Sequence, residues 1–335
     1  MIWTNELFSG LAQLHPSMSE NGWRLAGRSQ VIPTIFSGNY YHRSSTTHLM
    51  ETKSNHYYLL LRRLLLMRNV KRKGYIPSNK LTRYSSKIIK ATALLDDTKT
   101  LFDFWDETAS VEENFSRVRE QNIFGKSSRS RIDDELTIFR QRYFFDPEVA
   151  SALVHLVKNN VTSEVLHPIL FYFSAGADKL LYDSIGILEN YAMRGQRDIG
   201  ADEMQQEIRK FVEEGKTTTR WSENTIVKVA RHLLTTLRDF GILEGGAKKR
   251  IAPFYLPHQA FAFIALYIYN KGNPGIKLVD HPDWALFFLN SRSVERFFLE
   301  CHQEGLLNYH GAGSVIRIDF PTTSLMEYAD VLTRK

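Results

Sequence analysis

The chain has 335 residues, of which 43% are hydrophobic and 24% charged, with a formal net charge of +6 and a pI of about 9.2. This length holds two or three domains with sizeable cores, and the composition excludes collagenous, low-complexity and disulfide-rich classes. The single cysteine, Cys301, excludes an internal disulfide and a cysteine-rich zinc site, and it fits a reducing, cytoplasmic setting.

The charge is unevenly placed. Residues 1–90 carry 14 Lys/Arg and three acids, which leaves 29 basic and 34 acidic residues in the remainder. Any nucleic-acid contact beyond residue 90 must therefore come from local patches. Residues 1–80 are rich in Ser, Thr, Asn, His and Gly without sustained periodicity, as expected of a disordered or loosely attached extension, or of a reading frame that starts too far upstream. Within them only Tyr58 to Asn69 has a helical pattern. Arg68 to Lys73 supports a second reading, a basic arm along phosphates. No basic start followed by an apolar core precedes this region, so no secretory signal is expected.

From Tyr84 the spacing of apolar residues becomes helical. Helices are predicted over Ser85 to Leu95, Thr98 to Glu107 and Val111 to Gln121. A turn around Gly125 follows, and Ser127 or Ser128 is expected to cap a helix to about Tyr143. The pair Val111–Gln121 and Ser127–Tyr143 has the spacing of a helix-turn-helix. Lys126, Arg129 and Arg131 surround the start of its second helix, and Arg140 lies near its end. Serines, backbone N–H groups and arginines at a helix N-terminus make a phosphate site; the alternative is that the arginines pair with Asp133, Asp134 and Glu135. Further helices are expected over Pro147–Val157, Glu164–Ser174, Ala177–Tyr191 and Ala201–Glu214.

Two later stretches repeat one pattern. Ser222 starts an amphipathic helix that ends at Gly241-Ile-Leu243, followed by the basic Lys248-Lys249-Arg250 and a strand over Ile251–Leu256. Ser291 starts another that ends at Gly305-Leu-Leu307, followed by the His310–Gly313 tip and a strand over Ser314–Phe320. Helix, glycine stop, aliphatic pair and hairpin is the order of a winged helix-turn-helix. Lys228, Arg231 and Arg238 occupy the polar face of the first helix with no acid on that face, so DNA contact is expected there. The second helix has mixed charges and reads as a packing or dimerisation unit. The apolar stretch Ala252 to Tyr269 contains Pro253, Pro257, His258 and Gln259, so it is expected to be a strand end and a buried helix from His258 rather than a membrane span.

Catalytic signatures are missing: G-x-G-x-x-G, G-x-x-x-x-G-K-[ST] and H-E-x-x-H do not occur. Asp96-Asp97 and Asp133-Asp134-Glu135 are expected to serve helix ends. His281 and Asp283 lack a third ligand, so neither a metal nor another cofactor is expected. Cys301 lies on an apolar helical face as a small core residue.

Taken together, Tyr84-Ser-Ser86, Asn122-Ile-Phe-Gly-Lys-Ser-Ser-Arg-Ser-Arg131, Arg140-Gln-Arg-Tyr143, Trp221-Ser-Glu-Asn-Thr225 and Phe240-Gly-Ile-Leu243 follow an order that resembles the BrxA family of BREX phage-defence systems. These proteins were once labelled inner-membrane proteins. The resemblance implies a non-enzymatic, mainly helical protein that binds double-stranded DNA. It also implies neighbours in the same system, namely methyltransferase, phosphatase-like and ATPase components. The expected architecture is mainly α, with an extension over 1–80 and a helical domain with a helix-turn-helix over 81–200. Winged-helix units with short β-hairpins follow over 201–257 and 258–335. The expected DNA contacts are Lys126, Arg129, Arg131, Arg140, Lys228, Arg231, Arg238, Lys248, Lys249 and Arg250. The competing functions are a winged-helix interaction scaffold without DNA contact, and a transcriptional regulator.

Overall fold

The first element departs from its pattern. In the computed structural model, which describes residues 82–196, 198–312 and 315–334, the helix expected from Ser85 to Leu95 is a single 3-10 turn, Lys87–Ile89. Two interactions prevent a longer helix. The Tyr84 backbone pairs with the segment 216–218 through Tyr84 N to Lys216 O (2.8 Å) and Thr218 N to Tyr84 O (2.9 Å). Leu94 takes a left-handed conformation (φ 52°), which ends any right-handed helix. The Tyr58–Asn69 helix and the Arg68–Lys73 arm lie outside the described residues.

The next six helices are α1 (Leu95–Asp103), α2 (Val111–Gln121), α3 (Arg129–Arg142), α4 (Pro147–Lys158), α5 (Ser163–Ala177) and α6 (Lys179–Met193). Helix α2 begins with a reciprocal capping box between Ser110 and Glu113. Pro147 opens α4, where a missing N–H costs nothing, and Asp146 accepts from Glu148 N. Asp178 caps α6 by accepting from Leu180 N and Leu181 N. Helix α5 is buried from Val165 to Ala175 except at His167, because α3, α6 and α9 (His258–Asn270) all pack against it. An apolar surface that extends round most of a helix requires such enclosure.

Strand β1 (Asp198–Ile199) precedes α7 (Ala201–Glu213) and α8 (Glu223–Asp239). Strands β2 (Leu243–Gly245) and β3 (Lys249–Ile251) form a hairpin, and β1 pairs with the free edge of β3, giving an antiparallel sheet of order β1-β3-β2. The strand predicted over Ile251–Leu256 is thus shorter and earlier. Pro253 and Pro257 carry no N–H for a ladder, and Ala252 N to Ile242 O is the hydrogen bond just beyond β3.

Helix α9 begins at His258 as expected, and Ala260 to Ile268 are buried without interruption. Among the described residues, no helix is long and apolar enough to cross a membrane. After α9 come the short α10 (Ile276–Val279), a 3-10 turn (Pro282–Phe287), α11 (Ser291–Gln303), the β4 (Asn308–Ala312) and β5 (Val315–Asp319) hairpin, and α12 (Leu325–Thr333). Helix α12 packs along α4, where Leu325 N donates to Glu148 Oε1 at 2.8 Å and His155 faces Asp330. One buried apolar cluster extends from Tyr84 to Leu332. The protein is mainly α-helical, with a few short antiparallel strands.

Candidate nucleic-acid interface

Helix α8 owes its frame to its two ends. Ser222 Oγ accepts from Thr225 N at the start. At the end Gly241 takes φ +74°, and Gly241 N to Arg238 O (2.8 Å) and Ile242 N to Leu237 O (2.9 Å) close a Schellman motif. Between them Ile226, Val229, Ala230, Leu233, Leu234 and Leu237 are buried, which turns Lys228, Arg231 and Arg238 outward. These three lie at i, i+3 and i+10, along one edge about 15 Å long at 1.5 Å rise per residue.

The hairpin continues this edge. Burial holds the Lys249 ammonium below its ordinary pKa, and the nearby positive charge of Arg238 lowers it further. Helix α8 packs against β2, the hairpin partner of β3. Lys249 Nζ also donates to Gly246 O at 2.8 Å across the hairpin tip. Lys248 is exposed at that tip. Arg250 pairs with the cross-strand residue Glu244 (2.5 Å), and Arg238 with Asp239 (2.7 Å). Lys228, Arg231 and Lys248 have no ion-pair partner among the described residues. Glu223, the acid at the start of α8, is held by Arg209 through two hydrogen bonds and does not offset them.

The Val111–Tyr143 pair is a different case. Its connection runs from Asn122 to Ser128, because α3 starts at Arg129. Asn122, in a left-handed conformation, locks that turn by bonding both Lys126 N and Lys126 O through its side chain. Lys126 is committed elsewhere: it pairs with Asp97 (2.7 Å) and Glu135 (3.1 Å) with its side chain only 18% exposed. Burial pushes the Glu135 carboxyl up, and Lys126 opposes that rise. Arg140 pairs with Glu112 (2.6 Å) and lies over the Phe115 ring.

The acids of α3 do not pair with its arginines. Asp133 takes Arg119 (2.6 Å), Asp134 takes Lys90 (2.7 Å) and Glu135 takes Lys126. Arg129 and Arg131 remain exposed with no ion pair among the described residues, although the charge of Arg131 acts on Glu135. They occupy the first turn, which contains no acid, and Ser128 makes no side-chain cap. Positive charge at a helix N-terminus opposes the helix dipole, so an anion there would relieve it.

The second helix–hairpin unit has the same frame with different charges. Asn290 caps α11 by accepting from Ser293 N, and Ser291 is its first helical residue. Gly305 takes φ +66°, and Gly305 N to His302 O with Leu306 N to Cys301 O repeat the Schellman motif. Here Arg296 pairs with Glu300 and Arg317 with Asp319, both at 2.7 Å. His258 sits between Glu300 and Glu304. His310, Gly311 and Ala312, expected at the hairpin tip, belong to strand β4; Gly313 and Ser314 are outside the described residues.

Two features had no local signal. Strand β1 is two residues long. The carboxylate of Asp283 accepts from Tyr172 and Tyr182, which lie 111 and 101 residues away in the chain. Its neighbour His281 caps the 3-10 turn, with Nδ1 accepting from Asp283 N.

A family model described as BrxA matches residues 82–266. A solved structure described as "SspB crystal structure" is similar at 10% identity over 76% of this chain and 89% of that chain, with a TM-score of 0.50. At that identity the likeness concerns the fold alone. No curated protein matches the chain.

Proposed function

The chain belongs to the BrxA family, which places it with BREX phage defence, and from that premise we propose that it is a non-catalytic, cytoplasmic accessory factor that binds double-stranded DNA. The observation that carries this reading is the cationic edge of α8 and its hairpin. Lys228, Arg231 and Lys248 are exposed without acidic partners, while Lys249 lies near both Arg238 and the Asp239 that pairs with it. Unbalanced cations along one helix edge and one hairpin tip are what phosphate neutralisation and the entry of a helix into a groove require. Strand order β1-β3-β2 around α7 and α8 supports a winged helix in which α8 is the reading helix and residues 246–248 the wing. In this reading Arg129 and Arg131 give a second phosphate contact. Arg238, Lys249 and Arg250 adjust the field, and Lys126 and Arg140 hold the scaffold.

The test is duplex binding by the full chain across a salt series. Charge reversal at Arg231 and Lys248 should weaken binding and reduce the slope of log K against log salt by about 0.9 for each phosphate that is no longer neutralised. Unchanged affinity and slope would falsify the assignment.

The scaffold reading applies to the second unit. Its cations are mostly paired, while Leu299 (46%) and Val315 (68%) are exposed on its helix and hairpin. Other BREX components are the partners this reading expects. Stoichiometric co-purification with a neighbouring component, abolished by Leu299→Glu, would support it.

A further inference from the structure

A cavity of about 390 Å³ lies among the Lys87–Ile89 turn, the end of α3, helices α5 and α6, and the Pro282–Phe287 turn. Its floor is polar and buried. Asp283, 3% exposed, accepts from Tyr172 Oη and Tyr182 Oη, each at 2.8 Å. A carboxylate has about four acceptor positions, so this one retains capacity for two more donors. No Lys or Arg among the described residues pairs with it. Its walls are mostly apolar, with Ile88, Ile138, Phe173 and Leu286, and also carry Gln141 and Thr218. Its rim carries Arg83 and Lys87, both exposed. Arg83 has no partner among the described residues; Lys87 bonds Gln141 at 3.1 Å, and its charge also acts on Asp178. The two other charged groups of the lining are engaged: Asp178 caps α6 and lies near both Arg142 and Lys87, and Arg142 donates to Ala93 O.

Burying a carboxylate without a cation is costly. This one opens onto a space of ligand size. The arrangement dictates what would fit: a donor-bearing head at the floor, a flat apolar body, and an anionic tail at the rim. An α-amino acid has its charges side by side and does not span these two ends. A nucleotide has them at opposite ends. Among the bases, guanine presents N1–H and an exocyclic amino group next to each other, two donors facing two carboxylate oxygens. Adenine and cytosine place a ring acceptor beside the amino group, and that acceptor would face the carboxylate. Burial pushes the Asp283 carboxyl up to about 6, so at neutral pH it remains mostly an acceptor.

We propose that this cavity is a guanine-nucleotide site, with the base edge at Asp283 and the phosphate at Arg83 and Lys87. The site does not depend on duplex binding, because its cations are not those of the α8 edge.

Calorimetric titration of the full chain with GMP, guanosine, AMP and inorganic phosphate near neutral pH tests this. GMP should saturate a single site, with guanosine and AMP weaker by about tenfold or more, as expected when charge-assisted hydrogen bonds are removed or reversed. Asp283→Asn should weaken GMP by a similar factor. The surface double variant Arg83→Ala/Lys87→Ala should bind GMP no better than guanosine and leave guanosine unchanged. The site is overturned if GMP does not bind, if AMP or inorganic phosphate equals GMP, or if the surface double variant binds GMP like the original chain.

Discussion

The two helix–hairpin units differ in charge rather than in frame. Helices α8 and α11 end in the same Schellman motif, at Gly241 and Gly305, and both run on through an aliphatic pair into a hairpin. The first leaves Lys228, Arg231 and Lys248 without partners; the second ties Arg296 and Arg317 to carboxylates and leaves Arg292 one turn from Glu295. One backbone solution thus serves two surfaces. The lesson is that a repeated supersecondary unit says little about function until each cation is followed to its partner.

The comparison breaks most visibly in DNA affinity. Lys228→Glu/Arg231→Glu/Lys248→Glu should lower duplex affinity by about 100-fold or more and reduce the salt slope by about 2.7, at 0.9 per phosphate. Arg292→Glu/Arg296→Glu/Arg317→Glu should leave both unchanged, as read by fluorescence anisotropy. A comparable drop from the second triple variant would make the two units functional equals.

A second effect concerns how the second unit is held to the helical region. Asp283 and His281 lie side by side and titrate in opposite senses: burial raises the Asp283 carboxyl to about 6 and lowers the His281 imidazole to about 4. For Asp283 the folded state binds the extra proton, so its share of stability is lost as pH rises from about 4 to 6. For His281 the unfolded state binds the extra proton, so its share is lost as pH falls from about 6.5 to 4. At about 1.4 kcal/mol per pKa unit each is on the order of 3 kcal/mol, and the two largely cancel. Urea unfolding should therefore be nearly flat between pH 4 and 6.5 on their account. Asp283→Asn should make stability fall towards pH 4, and His281→Asn, which keeps a capping acceptor, should make it fall towards pH 6. Equal slopes in both variants would mean that the pair does not titrate as described.

The frame itself predicts equality. Gly241→Ala and Gly305→Ala should each cost about 1–2 kcal/mol, since both positions require φ near +70°. At Gly241 no atom lies within 4 Å of an added Cβ, so backbone conformation is the whole cost. Smallest are the caps: Ser222→Ala and Asn290→Ala should each lower stability by about 1 kcal/mol. Thermal unfolding that separates either pair widely would show that the two frames are less alike than their hydrogen bonds.

Much of the fold is legible in the sequence because periodicity and stop signals are local. Val111–Gln121 and the start at His258 follow directly from apolar spacing and proline position. Ser85–Leu95 misleads because its apolar spacing competes with long-range pairing of Tyr84 to residues 216–218, which no window of sequence displays. Lys126 looks like a phosphate ligand beside Arg129 and Arg131, yet Asp97, 29 residues earlier, takes it. The knot of Tyr172, Tyr182 and Asp283 is equally hidden, since tyrosines on an apolar helix read as core.

Helix α12 lies along α4, about 170 residues earlier in the chain, and this sets a timetable for synthesis. A ribosome adding roughly 5–20 residues per second needs on the order of 10–30 s to deliver α12 after α4 has emerged. Throughout that interval the α4 surface that α12 will cover has only water or other chains to meet. The nascent protein therefore passes through a stage in which its early helices are formed but incompletely roofed. Slow translation after residue 158 would lengthen the period in which chaperones, or a partner synthesised alongside, can reach it.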